Sequence, residues 1–269
     1  MAKSRLEGPL AVSLGDPAGV GPELIAAAWA RRTELGLPAF VVVGGAGVLK
    51  AAAASRGIAL PIAPIAGMEE AHAVFAEALP VLGSEDAPYN AGWPGMDGAT
   101  LALGSLEQAA ALACSAEASA LVTMPVAKAE LAKVGFAYPG QTEFVAAACA
   151  TPPQDAVMML AGPSLRAVPL TVHCALSEVP GLLSAALIAG KARIVAAALN
   201  RDFGILAPRL AICGLNPHAG EQGRMGREDD DIIAPAVDAL RAEGIDASGP
   251  HPADALFSAR ARATYDAAL

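Results

Sequence analysis

Residues 210–221, LAICGLNPHAGE, run from an unbroken apolar segment straight into an Asn-Pro turn, with His218 two residues before Gly220. The pattern reads as a buried strand ending in a loop that presents an imidazole. Residues 168–176, VPLTVHCAL, repeat the layout, with β-branched and aliphatic side chains leading directly to His173. Both histidines are thus expected at the carboxyl ends of strands, and open α/β sheets bind ligands in the crevice outside those ends. Two readings are open for each imidazole: it bonds a nearby carbonyl and caps its strand, or it contacts a metal or a substrate. Asn216, Pro217 and Gly220 favour ligand contact at His218, because they fix a turn and let backbone approach a ligand closely.

Outward from these loops the chain alternates strands and helices. Residues 9–14 read as a short buried strand and 15–19 as a turn, and a helix opens at Pro22 and runs to Arg31 or Arg32. Proline is tolerated in a first helical turn because its missing amide would be unpaired there. Residues 39–43, 44–47 and 48–56 repeat strand, glycine turn and helix, with Gly57 as the stop. Residues 80–98, rich in Gly, Pro and Asp, predict a loop, followed by a helix over 99–118, a strand over 120–124 and a helix from Pro125 through Leu131. Residues 156–160 and 167–173, joined at Gly162-Pro163, predict two antiparallel strands, and 179–200 a helix. A helix over 228–243 carries Glu228, Asp229, Asp230 and Asp231 in its first turn, where acids complement the dipole, and Gly244 past its end. This is an α/β pattern. The run GFAYPG at 135–140 breaks it and predicts two domains, 1–135 and 136–269.

Of the 269 residues 54% are hydrophobic, and the mean hydropathy is +0.45, so the chain can bury a large core. A net charge of −9, with no basic cluster longer than Arg31-Arg32, argues against binding nucleic acid and for small-molecule chemistry. Residues 1–15 lack the apolar run of a signal peptide, and no stretch is long and uncharged enough to span a membrane, so a cytoplasmic protein is expected. Cys114, Cys149, Cys174 and Cys213 are widely spaced without a CxxC pair, which suggests neither a zinc knuckle nor a disulfide framework. They read as small core residues, Cys174 and Cys213 being of interest for their neighbouring histidines.

Four further stretches carry turn geometry or chemistry. GDPAGVGPE at 15–23 sets glycines and an aspartate between strand and helix, either as a tight turn or as a loop whose amides hold an anion. GGAG at 44–47 lacks the third glycine of a dinucleotide fingerprint. In GQTEF at 140–144, Thr142 is positioned to cap the following helix, while the amide of Gln141 beside it suggests more than capping. GPHPADALF at 249–257 places Asp254 behind two prolines, as a helix cap or a catalytic carboxylate, with His251 expected to face solvent.

Taken in order, GDPAGVGPE, TMPVAK at 123–128, GQTEF, TVH at 171–173, CGLNPHAGE at 213–221 and PADALF at 252–257 resemble the motifs of the 4-hydroxythreonine-4-phosphate dehydrogenase family of vitamin B6 biosynthesis. The resemblance implies a two-domain α/β/α fold akin to isocitrate and isopropylmalate dehydrogenases, in a homodimer whose interdomain active site is shared between subunits. It implies NAD- or NADP-dependent oxidation of the C3 hydroxyl of 4-phosphohydroxy-L-threonine to 2-amino-3-oxo-4-phosphohydroxybutanoate. That β-keto acid decarboxylates to 3-amino-2-oxopropyl phosphate. A divalent ion, zinc, magnesium or cobalt, polarises the oxygen being oxidised. By similarity His173 and His218 are metal ligands, Gln141 and Thr142 contact substrate, and Asp254 is a catalytic carboxylate near the metal.

Two departures accompany the resemblance. Gln141 stands where the family usually has His, so a neutral amide replaces a group that can be charged. Leu269 comes short of the family's YHDQ motif and its third histidine ligand, so the fold is expected to be incomplete at its carboxyl end, with weak metal binding and no hydride transfer from these residues alone. The alternatives are a related dehydrogenase of a phosphorylated threonate or a cyclic dihydrodiol carboxylate, and a non-catalytic remnant.

Overall fold

The computed structural model describes residues 8–269. The chain divides into two compact units, Met1–Ala150 and Thr151–Leu269.

The first unit runs from β1 (Leu10–Ser13) through α1 (Gly21–Ala30), β2 (Phe40–Val43), α2 (Ala46–Ser55), β3 (Ile62–Ile65), α3 (Ala71–Val74), β4 (Leu79–Leu82), α4 (Met96–Cys114), β5 (Leu121–Val122) and α5 (Lys128–Lys133) to α6 (Gln141–Ala148). Its strands lie in the order β3-β4-β2-β1-β5, every neighbouring pair parallel. β2 reads FVVV and is buried throughout, the pattern of a strand covered on both faces. Val42 packs with Ile25 and Trp29 of α1 and Val48 and Leu49 of α2, whereas Val41 and Val43 pack with Ala109 and Leu112 of α4. Each such Leu or Ile taken fully out of water contributes about 1.5–3 kcal/mol. From β1 the chain moves to one side for β2, β3 and β4, and returns to the other side for β5. The loops after β1 and β5 therefore part at a topological switch point, where sheets of this kind bind ligands.

Several expectations change. Pro80, read as loop, lies in β4, whose pairing with β2 begins only at Val81, so the amide that Pro80 lacks interrupts no bond to β2. α5 starts at Lys128 rather than Pro125, whose carbonyl instead accepts the Asp16 amide at 2.9 Å. The units divide at Ala150–Thr151 and not at 135–136. Phe136 and Phe144 are buried with Leu106 and Leu131, and the Tyr138 ring lies 5.5 Å from each of them, so this segment stays with the first core. The glycines at 135 and 140 mark turns within the first unit.

The second unit contains β6 (Leu160–Gly162), β7 (Leu165–Ala167), α7 (Val179–Leu182), α8 (Ala185–Phe203), β8 (Arg209–Cys213), α9 (Ala234–Ala242), β9 (Asp246–His251), α10 (Ala253–Leu256), α11 (Ala259–Arg262) and β10 (Ala267–Ala268). Its order is β6-β7-β10-β8-β9, parallel except for the β6–β7 hairpin. Ile188, Ala192, Val195 and Leu199 form one stripe of α8 and join Val237 and Leu240 of α9 over Leu210 and Ile212 of β8. Ala211, of opposite pleat, packs with Leu256 and Tyr265.

The predicted hairpin is present but shorter and closer to its turn, with Gly162 opposite Leu165 and Leu160 opposite Ala167. Pro169 has no amide to extend the ladder, so His173 lies in irregular chain beyond β7 instead of at a strand end. The helix expected over 179–200 is broken into α7 and α8, bent by 91°, because Ser184 leaves the helix and caps α8 by accepting the Leu187 amide at 3.1 Å. The helix expected from Glu228 begins as a π-helical turn, Asp229–Ile233, ahead of α9. Cys114 and Cys149 are exposed instead of in the core, and Cys174 and Cys213 are partly buried. Among the described residues no single helix is long and apolar enough to cross a membrane.

Candidate active site

At the switch point of the first unit the 15–23 loop meets the residues after β5. A Cβ on Gly15, at φ +73°, would stand 2.6 Å from both Met124 Cβ and Pro125 O, so only glycine admits this approach. Asp16 is buried and closes the turn, its Oδ1 accepting the Ala18 amide at 2.8 Å and its carbonyl the Gly19 amide at 2.9 Å. These bonds support the tight-turn reading for residues 16–19. Glu23 accepts from Arg56 and Tyr89, bonds that hold its carboxyl below the usual range, Arg56 having the larger effect. Gln141 opens α6, and its Nε2 donates to the Met124 carbonyl at 3.1 Å, joining the TMPVAK and GQTEF segments. Thr142 beside it is exposed, and the helix is entered from Gly140 without any side-chain cap, so capping does not account for the threonine.

The 44–47 loop shows why it is no dinucleotide loop. Asp86 reaches the start of α2, and its carboxylate accepts the amides of Gly47 and Val48 at 2.5 and 3.2 Å. A carboxylate thus occupies the amides that a pyrophosphate would need. Glu85, Asp86 and Asp97 also line the adjoining hollow of about 600 Å³, which disfavours an anion further.

In the second unit β8 delivers the 213–221 loop. Residues 218–223 all take positive φ: 53° at His218, 52° at Ala219, 78° at Gly220, 45° at Glu221, 58° at Gln222 and 83° at Gly223. Side chains of L-residues resist this region. Asp229 anchors the root of the loop. Its fully buried carboxylate accepts the amides of Leu215 and Asn216 at 2.9 and 3.1 Å and Nδ2 of Asn216 at 2.9 Å. Gly214 belongs to the same cradle, since a Cβ there would come within 2.7 Å of Asp229 Oδ1. Sequence reasoning missed this role: Asp229 is one of four successive acids, and nothing in their spacing singles it out.

His218 and His173 are both exposed, and His173 too is left-handed, at φ +54°. α10 packs on the Pro217–Glu221 segment, which brings the turn bearing Asp254 to the His218 loop. Asp254 is exposed and does not cap its helix, where Pro252 is the N-cap. His251, expected in solvent, is half-buried in β9 with its Nε2 2.9 Å from Ser248 Oγ, and burial followed by the Arg241 charge lowers its pKa. Among the described residues no group of three or more His, Cys, Asp or Glu side chains is placed to hold a metal ion. His173 and His218 therefore do not complete a metal centre with other described residues, since a catalytic site normally takes three protein ligands.

Residues 37–269 match the family model described as pyridoxal phosphate biosynthetic protein PdxA. The chain belongs to this family. A PdxA relative from Erythrobacter litoralis, named 4-hydroxythreonine-4-phosphate dehydrogenase, is 60% identical over 261 residues, spanning 97% of this chain and 78% of the relative. The crystal structure of the enzyme of that name from Klebsiella pneumoniae gives a TM-score of 0.82 at 32% identity, over 97% of this chain and 80% of the other. A terephthalate 1,2-cis-dihydrodiol dehydrogenase from Burkholderia xenovorans gives 0.61 at 27%, over 97% and 78% of the two chains. As a PdxA-family member the protein is an oxidoreductase of vitamin B6 biosynthesis, with the fold of the isocitrate and isopropylmalate dehydrogenases, and its dehydrogenase chemistry calls for a nicotinamide cofactor.

Proposed function

We propose that the protein is a 4-hydroxythreonine-4-phosphate dehydrogenase, oxidising the C3 hydroxyl of 4-phosphohydroxy-L-threonine with NAD or NADP as hydride acceptor. The observation that carries this reading is the 60% identity, over 97% of the chain, to a relative of that name. The higher TM-score to the enzyme of the same name than to the dihydrodiol dehydrogenase, 0.82 against 0.61, favours it over the cyclic dihydrodiol carboxylate. The nicotinamide supplies the hydride acceptor, and Asp86 argues against the 44–47 loop as its seat. Gln141, already steadied by the Met124 carbonyl, offers its second N–H to the substrate, and the Thr142 hydroxyl adds a further contact. Both stand in the first turn of α6, where the helix end favours an anionic group such as the phosphate. Asp254 is assigned the proton of the hydroxyl being oxidised. Loss of carbon dioxide from the β-keto acid then gives 3-amino-2-oxopropyl phosphate.

His173 and His218 are proposed as two metal ligands, supported by their left-handed backbone, since strained residues of this kind cluster at functional sites. The described residues do not make up a full ligand set, and the chemistry assigned above is that of the chain's own groups. With two ligands assigned, zinc is expected to bind weakly, and a zinc titration of the purified protein reads the affinity. We also propose a cytoplasmic homodimer, the assembly that the family resemblance implies; Leu160, Leu176, Leu182 and Leu206 of the second unit are exposed apolar side chains that a partner could cover. Light scattering on the eluting protein reads its mass.

The deciding assay follows nicotinamide reduction by the protein expressed from its complete reading frame. It is offered 4-phosphohydroxy-L-threonine, a phosphorylated threonate and a cyclic dihydrodiol carboxylate in turn. Turnover of the first is expected. Turnover of only one of the others reassigns the substrate, and turnover of none overturns all three substrate assignments.

A further inference from the structure

Cys114 is the last residue of α4 and Cys149 follows the last residue of α6 as its C-cap. Although 35 positions apart in the chain, their Sγ atoms lie 3.6 Å from each other, and Cys114 Sγ is also 3.5 Å from the Ala148 carbonyl. Both residues are exposed. A pair used only for packing would be buried, and a pair used only as surface filler has no reason to converge from two helix ends. The other two cysteines differ: Cys174 and Cys213 are partly buried, and burial pushes the Cys213 thiol up to about 11.

We propose that Cys114 and Cys149 form an oxidisable dithiol, which a two-electron thiol oxidant such as hydrogen peroxide or glutathione disulfide converts into an intramolecular disulfide. With peroxide, one thiolate attacks an oxygen and becomes a sulfenic acid as the first water leaves; the second thiol attacks that sulfur, the S–S bond forms and the second water leaves. With glutathione disulfide, one thiolate displaces a glutathione to give a mixed disulfide, and the neighbouring sulfur displaces the other. Either way two S–H bonds are replaced by one S–S bond, and the two electrons pass to the oxidant. To bond, the sulfurs must approach from 3.6 Å to about 2.05 Å. Partial desolvation, followed by the bond from Cys114, raises the Cys149 pKa, and the reaction, which runs through a thiolate, quickens as pH rises. The bridge would tie the end of α6 to the end of α4 and close a loop containing β5, α5 and the turn that bears Gln141 and Thr142.

The test oxidises the reduced, purified protein with glutathione disulfide or peroxide, quenches with acid, unfolds it and alkylates what remains. Loss of two of the four thiols is expected, reversed by dithiothreitol, with a single linked pair of peptides carrying Cys114 and Cys149. In C114S and C149S the remaining partner should instead retain glutathione as a stable mixed disulfide. Retention of all four thiols under excess oxidant overturns the proposal. So does a bridge to Cys174, to Cys213 or to a second chain, or stable glutathione on both Cys114 and Cys149 without a link.

Discussion

Replacing one carboxylate oxygen of Asp229 by an amide nitrogen turns a donor toward donors. The carboxylate accepts from two backbone amides and the Asn216 side chain in a fully buried position, so Asp229→Asn is expected to cost about 1–3 kcal/mol. Activity should fall with it, as the His218 loop loses its anchor. The urea midpoint and kcat/KM measure the two effects, and a variant unchanged in both would show that the loop is held by other contacts. Gln141→His is a change of the opposite kind. An imidazole can keep the bond to the Met124 carbonyl and, when protonated, add charge to an anionic contact, so KM should fall roughly three- to tenfold with kcat little altered. A lower kcat at unchanged KM would remove Gln141 from substrate binding. At this scale the sequence offered His173, His218, Gln141 and Asp254 as candidates, through their motifs, and the roles assigned to them are proposals. It hid those whose work depends on a fold partner: Asp86 meets the start of α2 from 38 positions away in the chain, and Asp229 is indistinguishable from its acidic neighbours.

Among elements, β10 is held to β8 by one ion pair as well as by its ladder. The Arg209 amide and guanidinium both donate to Asp266, at 2.8 Å for the amide and 3.1 Å for Nη2, while the Asp266 amide returns a bond to the Arg209 carbonyl. The Arg209 side-chain contact is the main reason why the Asp266 pKa is lowered. The unfolded chain therefore takes up this proton first as pH falls. The pair's contribution is complete above the ordinary aspartate value of about 3.9 and is lost below it, down through the depressed pKa of the folded state. Asp266→Asn should lower stability at neutral pH and flatten the acid limb of the urea-midpoint profile. An acid limb as steep as that of the parent protein would assign the sensitivity to other carboxylates. β1, β2 and β8 were legible from their aliphatic runs. β4 was obscured by Pro80, and β10, two alanines long, carries no signal beyond its neighbours. The α7–α8 break was written in Ser184, a capping residue that an apolar period reads through.

For the molecule as a whole, neither sheet borrows a strand from the other unit, and each unit has its own core. Leu199→Ala in α8 is expected to destabilise the second unit by about 2–5 kcal/mol. Hydrogen exchange should quicken in α8, α9 and β8, while β1, β2 and α1 keep their protection. Equal loss in both would mean that the units unfold as one. The α/β class was plain from alternation alone, but the division was not, because Phe136, Tyr138 and Phe144 join a core that no local signal announces. The order of strands also separates the units in time during synthesis. The described strands of the first sheet are all made once β5 has left the ribosome, so that sheet can begin to assemble while later codons are still being read. The second sheet waits longer: β10 follows the other described strands yet lies between β7 and β8. Until residues 267–268 emerge, the edges of β7 and β8 stay unsatisfied, and a nascent chain stalled before that point is the form most exposed to chaperones and to misassembly.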